Sequence, residues 1–215
     1  MRLALFLLCA AMGFVANAQL PVEVFGGNKK TTVDIMFFKF FRNGQGENTR
    51  WLFFNRNRAS IDYQMTETIN LPQFGFTEAI SYNHPALKGV APVVIGQIFN
   101  RGVFPKAGVQ FAHIKKDFTI FTWLVCETLE MPDLDYFLLL RFTPGLSEKL
   151  DLFAQAESVN VMPTAGSGNY SFTQRLRLGF QKNGYQFGAG ADFNQTGNGL
   201  YSGTQNVGGF IRHEF

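Results

Sequence analysis

The chain has 215 residues, 46% of them hydrophobic and 15% aromatic, and its 19 lysines and arginines against 16 acidic residues give a formal net charge of +3. A charge this balanced argues against binding of nucleic acid through a basic surface. Two cysteines are too few for a small scaffold held together by several disulfides.

The first segment has the form of a secretory signal peptide. "MRLALFLLCAAMGFVANAQ" has one positive charge, an apolar run to about Val15 and then "ANA", the small-x-small pattern that signal peptidase cuts. We therefore predict that 1–18 is removed and that 19–215, 197 of the 215 residues, forms one domain. A membrane anchor is the weaker alternative, because the apolar run is short for a bilayer. Cys126 alone would remain, so no intramolecular disulfide is expected.

Beyond residue 20 the chain has the pattern of an all-β protein. Runs rich in Phe, Val, Ile, Leu, Thr and Tyr alternate with clusters of Gly, Pro, Asn and Asp. The predicted strands are 31–42, 50–63, 73–83, 91–100, 107–115, 118–129, 134–143, 150–160, 170–182, 185–195 and 204–215. If these strands close into an antiparallel barrel, their number should be even, so "PVEVF" at 21–25 is the predicted twelfth strand, with ten strands as the alternative. The connection 196–203 is expected to be one of the outer loops.

Two segments depart from simple alternation. In "FFNRNRASIDY" at 53–63, the polar block from Asn55 to Arg58 cannot face lipid on both sides, so we expect a bulge, a loop contact or a binding site there. From 118 to 129 both faces are apolar, and the face with Trp123 is expected to fill the interior of the barrel.

The segments near the C-terminus predict a hairpin in register. Asn183-Gly184 is a strong signal for a two-residue type I′ turn. Pairing Lys182 with Tyr185 places Arg175 opposite Asp192, which predicts an inward ion pair between the two strands. The polar face of both segments would then line the lumen, and the apolar face would meet lipid.

The last residues carry a resemblance. In "NVGGFIRHEF", alternate residues are apolar and the chain ends on Phe215. Together with the leader and the alternating strands, this ending resembles bacterial outer-membrane β-barrel proteins. The resemblance implies a transmembrane antiparallel up-and-down barrel in the outer membrane of a Gram-negative cell. It also implies that Phe215 is the signal read by the barrel assembly machinery, and that outer-membrane lipid surrounds the barrel.

The inward charges suggest three functions. A small-solute channel with a mixed-charge, arginine-containing lumen is the first hypothesis, because rings of charge set selectivity. The alternative is a plugged accessory barrel that docks on another outer-membrane protein, marked by a polar outward patch near Asn55, Asn57 or Glu78. The predicted lumen-lining residues are Arg56, Arg58, Asp62, Arg141, Glu157, Arg175, Arg177 and Asp192.

A lipid-modifying enzyme is the third and weakest hypothesis. Barrel phospholipases and deacylases carry a serine two positions after a histidine, whereas His84, His113 and His213 are followed at that position by alanine, lysine and phenylalanine. The histidines are scattered and Cys126 is isolated, so we predict no catalytic residue, metal or cofactor.

Overall fold

The computed structural model describes residues 20–63, 73–100, 102–129, 133–164 and 168–214, and strands dominate them. The predicted signal peptide and Phe215 lie outside the described residues. In the part that is described, no helix has the length and apolar character needed to cross a bilayer. The strands are β1 (Pro21–Gly27), β2 (Lys30–Arg42), β3 (Asn48–Asp62), β4 (Gln73–Tyr82), β5 (Val90–Phe99), β6 (Gly102–Ile114), β7 (Phe118–Glu127), β8 (Asp133–Phe142), β9 (Gly145–Ser147), β10 (Leu150–Pro163), β11 (Tyr170–Lys182), β12 (Tyr185–Asn198) and β13 (Leu200–Glu214). A 3-10 turn, Pro85–Leu87, joins β4 to β5.

The sheet closes on itself. β1 pairs antiparallel with β13, from Pro21 opposite Glu214 to Gly27 opposite Gly208. The remaining long strands pair with their neighbours along the chain, and β10 lies between β8 and β11. The described residues thus form a twelve-stranded barrel, with the short β9 as an extra strand on β10. The predicted twelve-stranded antiparallel barrel is confirmed. The additional strand predicted at 21–25 is β1, and the alternative of ten strands is wrong.

Both terminal strands reach the same end of the barrel, which we call the lower end; the other is the upper end. At the lower end, Asn183 (φ 51°) and Gly184 (φ 79°) form the predicted two-residue turn. The predicted register of this hairpin is confirmed over all of β11. The predicted outer loop at 196–203 is wrong, because β12 and β13 stay paired up to Asn198 opposite Leu200. Gly199 (φ 84°) is the single residue between the two strands.

The outer surface of the barrel is apolar. Large apolar side chains on alternate positions are exposed, among them Val94 (60%), Leu178 (61%) and Val207 (50%). An apolar surface that extends around the barrel would be unfavourable in water. It is the outer surface expected of a barrel surrounded by hydrocarbon.

The interior is filled by two different kinds of side chain. On β2 to β8 lies an aromatic core, in which Phe54 packs against Phe121 and Trp123 at ring-centroid distances of 5.2 Å. Phe121 and Trp123 come from β7, as predicted for the segment with two apolar faces. On the remaining strands the inward side chains are mostly charged or amide-bearing.

The polar block of β3 is a regular strand. Its pairing with β2 and β4 is uninterrupted from Asn55 to Arg58, so of the three alternatives expected for this segment the bulge is wrong. Alternation instead sends Arg56 and Arg58 to the interior and Asn55 and Asn57 to the outer face.

Candidate functional site

The centre of the interior is an ion-pair network built around Arg56. Its guanidinium bonds Asp34 on the neighbouring strand through two nitrogens, with Nε donating to Oδ1 at 3.1 Å. Nη1 donates across the barrel to Glu157 Oε2 at 2.8 Å. β3 and β10 are not neighbours in the sheet, so this contact runs through the interior. A planar guanidinium suits the task, because its fixed fork of donors can satisfy two carboxylates together.

Three further arginines extend the network upward and around the wall. Arg175 Nη1 lies 3.2 Å from Glu157 Oε2. Asp192 accepts from Arg58 Nη2 at 3.1 Å and from Arg177 Nη1 at 2.8 Å. Each of these carboxylates is thus shared by two arginines, as buried charges require several partners.

Arg177 closes the network onto the first strand. Its Nε donates to Glu23 Oε1 at 2.9 Å, and its guanidinium carbon lies 3.9 Å from the centre of the Phe25 ring. Gly190 faces it from β12, and a Cβ there would lie 2.8 Å from Arg177 Cδ. The small residue therefore leaves room for the arginine. Gly188, two positions earlier on β12, lies against the β11 backbone at Leu178.

Below the carboxylates, an amide links two more arginines. Gln155 Oε1 accepts from Arg141 Nε at 2.8 Å and from Arg212 Nη1 at 3.3 Å. The same side chain donates to Glu157 Oε1 at 2.8 Å. Gln155 thereby connects the lower arginines to the central network.

The network separates two cavities. The upper cavity measures about 280 Å³, and Arg56, Arg58 and Trp123 are among its lining residues. The lower one measures about 10 Å³ and is lined in part by Asp34 and Glu157. The ion pairs of Arg56 with these two carboxylates therefore form the partition between them.

Solved structures that the chain is similar to include porins. KdgM porin is 10% identical with a TM-score of 0.48, over 91% of this chain and 98% of that one. A structure described as KdgM porin in complex with disordered oligogalacturonate is 10% identical over the same shares, with a TM-score of 0.45. A triple mutant of Rhodopseudomonas blastica porin is 8% identical with a TM-score of 0.28, over 91% of this chain and 99% of that one. No protein-family model and no curated protein matches the sequence.

The closed sheet and the apolar outer surface decide the architecture on their own, because only a barrel whose backbone is fully paired can present such a surface to lipid. The chain is a membrane-spanning β-barrel protein.

The structure brings most of the predicted site residues of the barrel together. Asp62 is the exception, since it lies exposed at the end of β3 rather than in the buried network. The predicted ion pair of Arg175 with Asp192 is wrong, although the two residues are directly opposite. Arg175 has Glu157 opposite it on its other side and pairs with that carboxylate instead.

Four members of the network, Glu23, Asp34, Gln155 and Arg212, were not in the predicted set of lumen-lining residues. Asp34, Gln155 and Arg212 lie on inward positions of predicted strands, where alternation places them. Glu23 lies on the seven-residue β1, whose short sequence gives too few alternations to assign a face. A separate buried pair, Lys106 with Asp135, joins β6 to β8. In the described ranges no group of three or more His, Cys, Asp or Glu side chains could hold a metal ion.

Proposed function

We propose that this barrel is a small-solute channel of the outer membrane whose constriction is the ion-pair network. The upper cavity carries this proposal, because it leads to Arg56 and Arg58 and ends at the partition. The partition consists of side chains alone, so rotamer changes can open it without breaking a strand pair. Passage would then be limited to small solutes.

The proposed lining of the channel is nearly balanced in charge. Around the partition, four arginines face the four carboxylates of Glu23, Asp34, Glu157 and Asp192. Selection by size would therefore dominate, with weak discrimination by charge. In this proposal Arg141 lines the lower part of the passage and Asp62 its upper mouth.

Single-channel conductance in planar bilayers tests the proposal. We expect small, steady steps from refolded 19–215 and larger steps from the double variant Arg56→Ala, Glu157→Ala, which removes the partition. The double variant Arg175→Ala, Arg177→Ala should shift ion selectivity toward cations, because it leaves carboxylates without their arginines. The matched control is Lys106→Ala, Asp135→Ala, which removes a buried pair that does not line the upper cavity.

A second candidate function is the plugged accessory barrel. The aromatic core favours it, because rings from four strands meet inside the barrel and fill one side of the lumen. Absence of conductance from the wild-type chain and from the partition variant, with both verified as folded, would overturn the channel proposal and favour this one.

A further inference from the structure

A polar patch lies on the lipid-facing side of β3 and β4. Asn55, Asn57 and Glu78 point outward, because Arg56 and Ala79 beside them point into the interior. All three residues lie in the middle of their strands, away from both ends of the barrel. We call them the outward polar patch. At this depth the surrounding medium is hydrocarbon, which offers polar groups no partners.

Hydrogen bonds inside the patch leave it incompletely satisfied. Asn55 Nδ2 donates to Glu78 Oε1, and Asn57 Nδ2 donates to Asn55 Oδ1 at 3.3 Å. Within the described part of the chain, Glu78 Oε2 and Asn57 Oδ1 are buried without a hydrogen-bond partner. A primary amide has two N–H groups, and the bond to Glu78 uses one of those on Asn55. The patch therefore holds an unsatisfied acceptor and a spare donor side by side.

The surface beside the patch is open on one side. Gly96 lies opposite Glu78 on β5, and a Cβ built there would meet nothing within 4 Å. On the other side, the rings of Phe37 and Phe53 flank Asn55, which is only 7% exposed, and lie 6.0 Å apart. Glu78 is more exposed than Asn55. It therefore borders a shallow depression that a neighbouring surface can enter.

We propose that the outward polar patch is the contact between two copies of this chain. Barrels inserted by one route share their orientation, so a two-fold axis relating two copies runs along the membrane normal. Asn55 and Glu78 are directly opposite across β3 and β4, and therefore lie at similar depth. An axis between these strands places Asn55 of one copy against Glu78 of the partner subunit, and the same contact occurs a second time by symmetry.

This arrangement gives Glu78 Oε2 the hydrogen-bond partner that it lacks in the single barrel. The spare N–H of each Asn55 donates to the unpaired carboxylate oxygen of the other copy, which completes a ring of four hydrogen bonds. The gap at Gly96 gives the carboxylate room to turn toward the axis. The inference does not depend on whether the lumen conducts.

The mass of the refolded chain in lipid nanodiscs and in detergent micelles, measured by native mass spectrometry, tests the proposal. We expect a dimer for the wild type. Glu78→Leu should lower the association constant about tenfold or more, because two symmetric hydrogen bonds are lost. The control is Gln174→Leu, which removes another outward amide on β11, bonded to Asn160 at 3.4 Å, and should leave the mass unchanged. Glu78→Leu removes a carboxylate from the lipid face, so folding should be retained, as checked by heat-dependent gel migration.

Cross-linking locates the interface independently of the patch. Ile80 follows Glu78 on the same outward face of β4. In a Cys126→Ser background, Ile80→Cys should form a disulfide-linked dimer, whereas Leu178→Cys on β11 should not. A monomeric wild type in lipid would overturn the proposal. So would a dimer that Glu78→Leu leaves intact, or cross-linking of Ile80→Cys in cells only to a product of a different mass, which would identify another protein as the occupant.

Discussion

At the scale of single residues, the arginines of the interior serve as crosslinks. Arg177 joins Glu23 on β1 to Asp192 on β12 and covers the ring of Phe25, so one side chain spans the strands beside the closing seam. Lysine could not replace it, since a single ammonium group lacks the fork that reaches two carboxylates and the plane that stacks on a ring.

Arg177→Ala should lower the free energy of unfolding by about 3–5 kcal/mol, because it leaves two buried carboxylates without one of their charged partners. Urea unfolding in detergent micelles, followed by tryptophan fluorescence, measures the change. Lys182→Ala, at the exposed end of the same strand, is the control and should have little effect. A decrease of less than about 1 kcal/mol in the free energy of unfolding of Arg177→Ala would contradict this expectation. It would mean that water already solvates the two carboxylates as well as the arginine does.

A histidine on the outer face also has a local explanation. His213 stands where outer-membrane barrels usually carry an apolar or aromatic residue. Its ring stacks on Tyr185 of the neighbouring strand, with centroids 4.1 Å apart and planes at 23°. The imidazole thus takes the place of an aromatic residue at the lower rim.

At the scale of elements, β7 provides the centre of the aromatic core. Its inward residues Phe121 and Trp123 contact Phe54 of β3 across the interior, and Phe137 of the neighbouring β8 also contacts Phe54. The contacts with Phe54 join strands that are not neighbours in the sheet, so they hold the barrel wall together much as a core holds a soluble domain.

Phe54→Ala should lower the free energy of unfolding by about 3–5 kcal/mol, since Phe54 is 1% exposed and its removal leaves a void between four rings. The same urea titration measures it. Phe187→Ala, whose ring is 44% exposed on the outer face, is the size-matched control and should cost less. Equal decreases in the free energy of unfolding for the two variants would contradict the conclusion that the interior rings contribute more to stability than the outer ones.

The β11–β12 hairpin depends on its two turn residues. Gly184→Val should destabilise the barrel by about 1–2 kcal/mol, because a branched side chain disfavours the left-handed backbone at φ 79°. Asn183→Gly is the control, since glycine accepts the same conformation and should be nearly neutral. The midpoint of unfolding in urea compares them, and a neutral Gly184→Val would show that the turn can adopt another type.

At the scale of the whole molecule, the barrel has apolar side chains on both of its surfaces. Trp51 is 47% exposed on the outer face, whereas Trp123 is 5% exposed in the interior. The two tryptophans therefore report on the two sides of one wall.

Lipids brominated near the headgroups should quench Trp51 and leave Trp123 largely unaffected. Each is observed alone, in the variants Trp123→Phe and Trp51→Phe. We expect strong quenching in the Trp123→Phe variant, in which Trp51 is observed, because bromine quenches only on close contact. Equal quenching of both would contradict the assignment of inner and outer faces.

The sequence predicted the barrel well, because the positions of strands and turns, and the face on which a side chain lies, depend on residues that are close in sequence. Asn183-Gly184 determined a register that holds along the whole hairpin, and the alternation from Tyr170 assigned its faces. The partners of the interior charges depend on closure instead. Arg56 meets Glu157 from 101 positions away, and no local pattern relates those two residues.

The two-sided apolar character of β7 has a consequence before the barrel exists. "FTIFTWLVC" at 118–126 has no charge and no proline, and such segments aggregate readily when exposed. In the unfolded chain this segment has neither lipid nor core to cover it. We therefore expect that the same rings that stabilise the inserted barrel make the β7 segment prone to aggregation while the chain is unfolded.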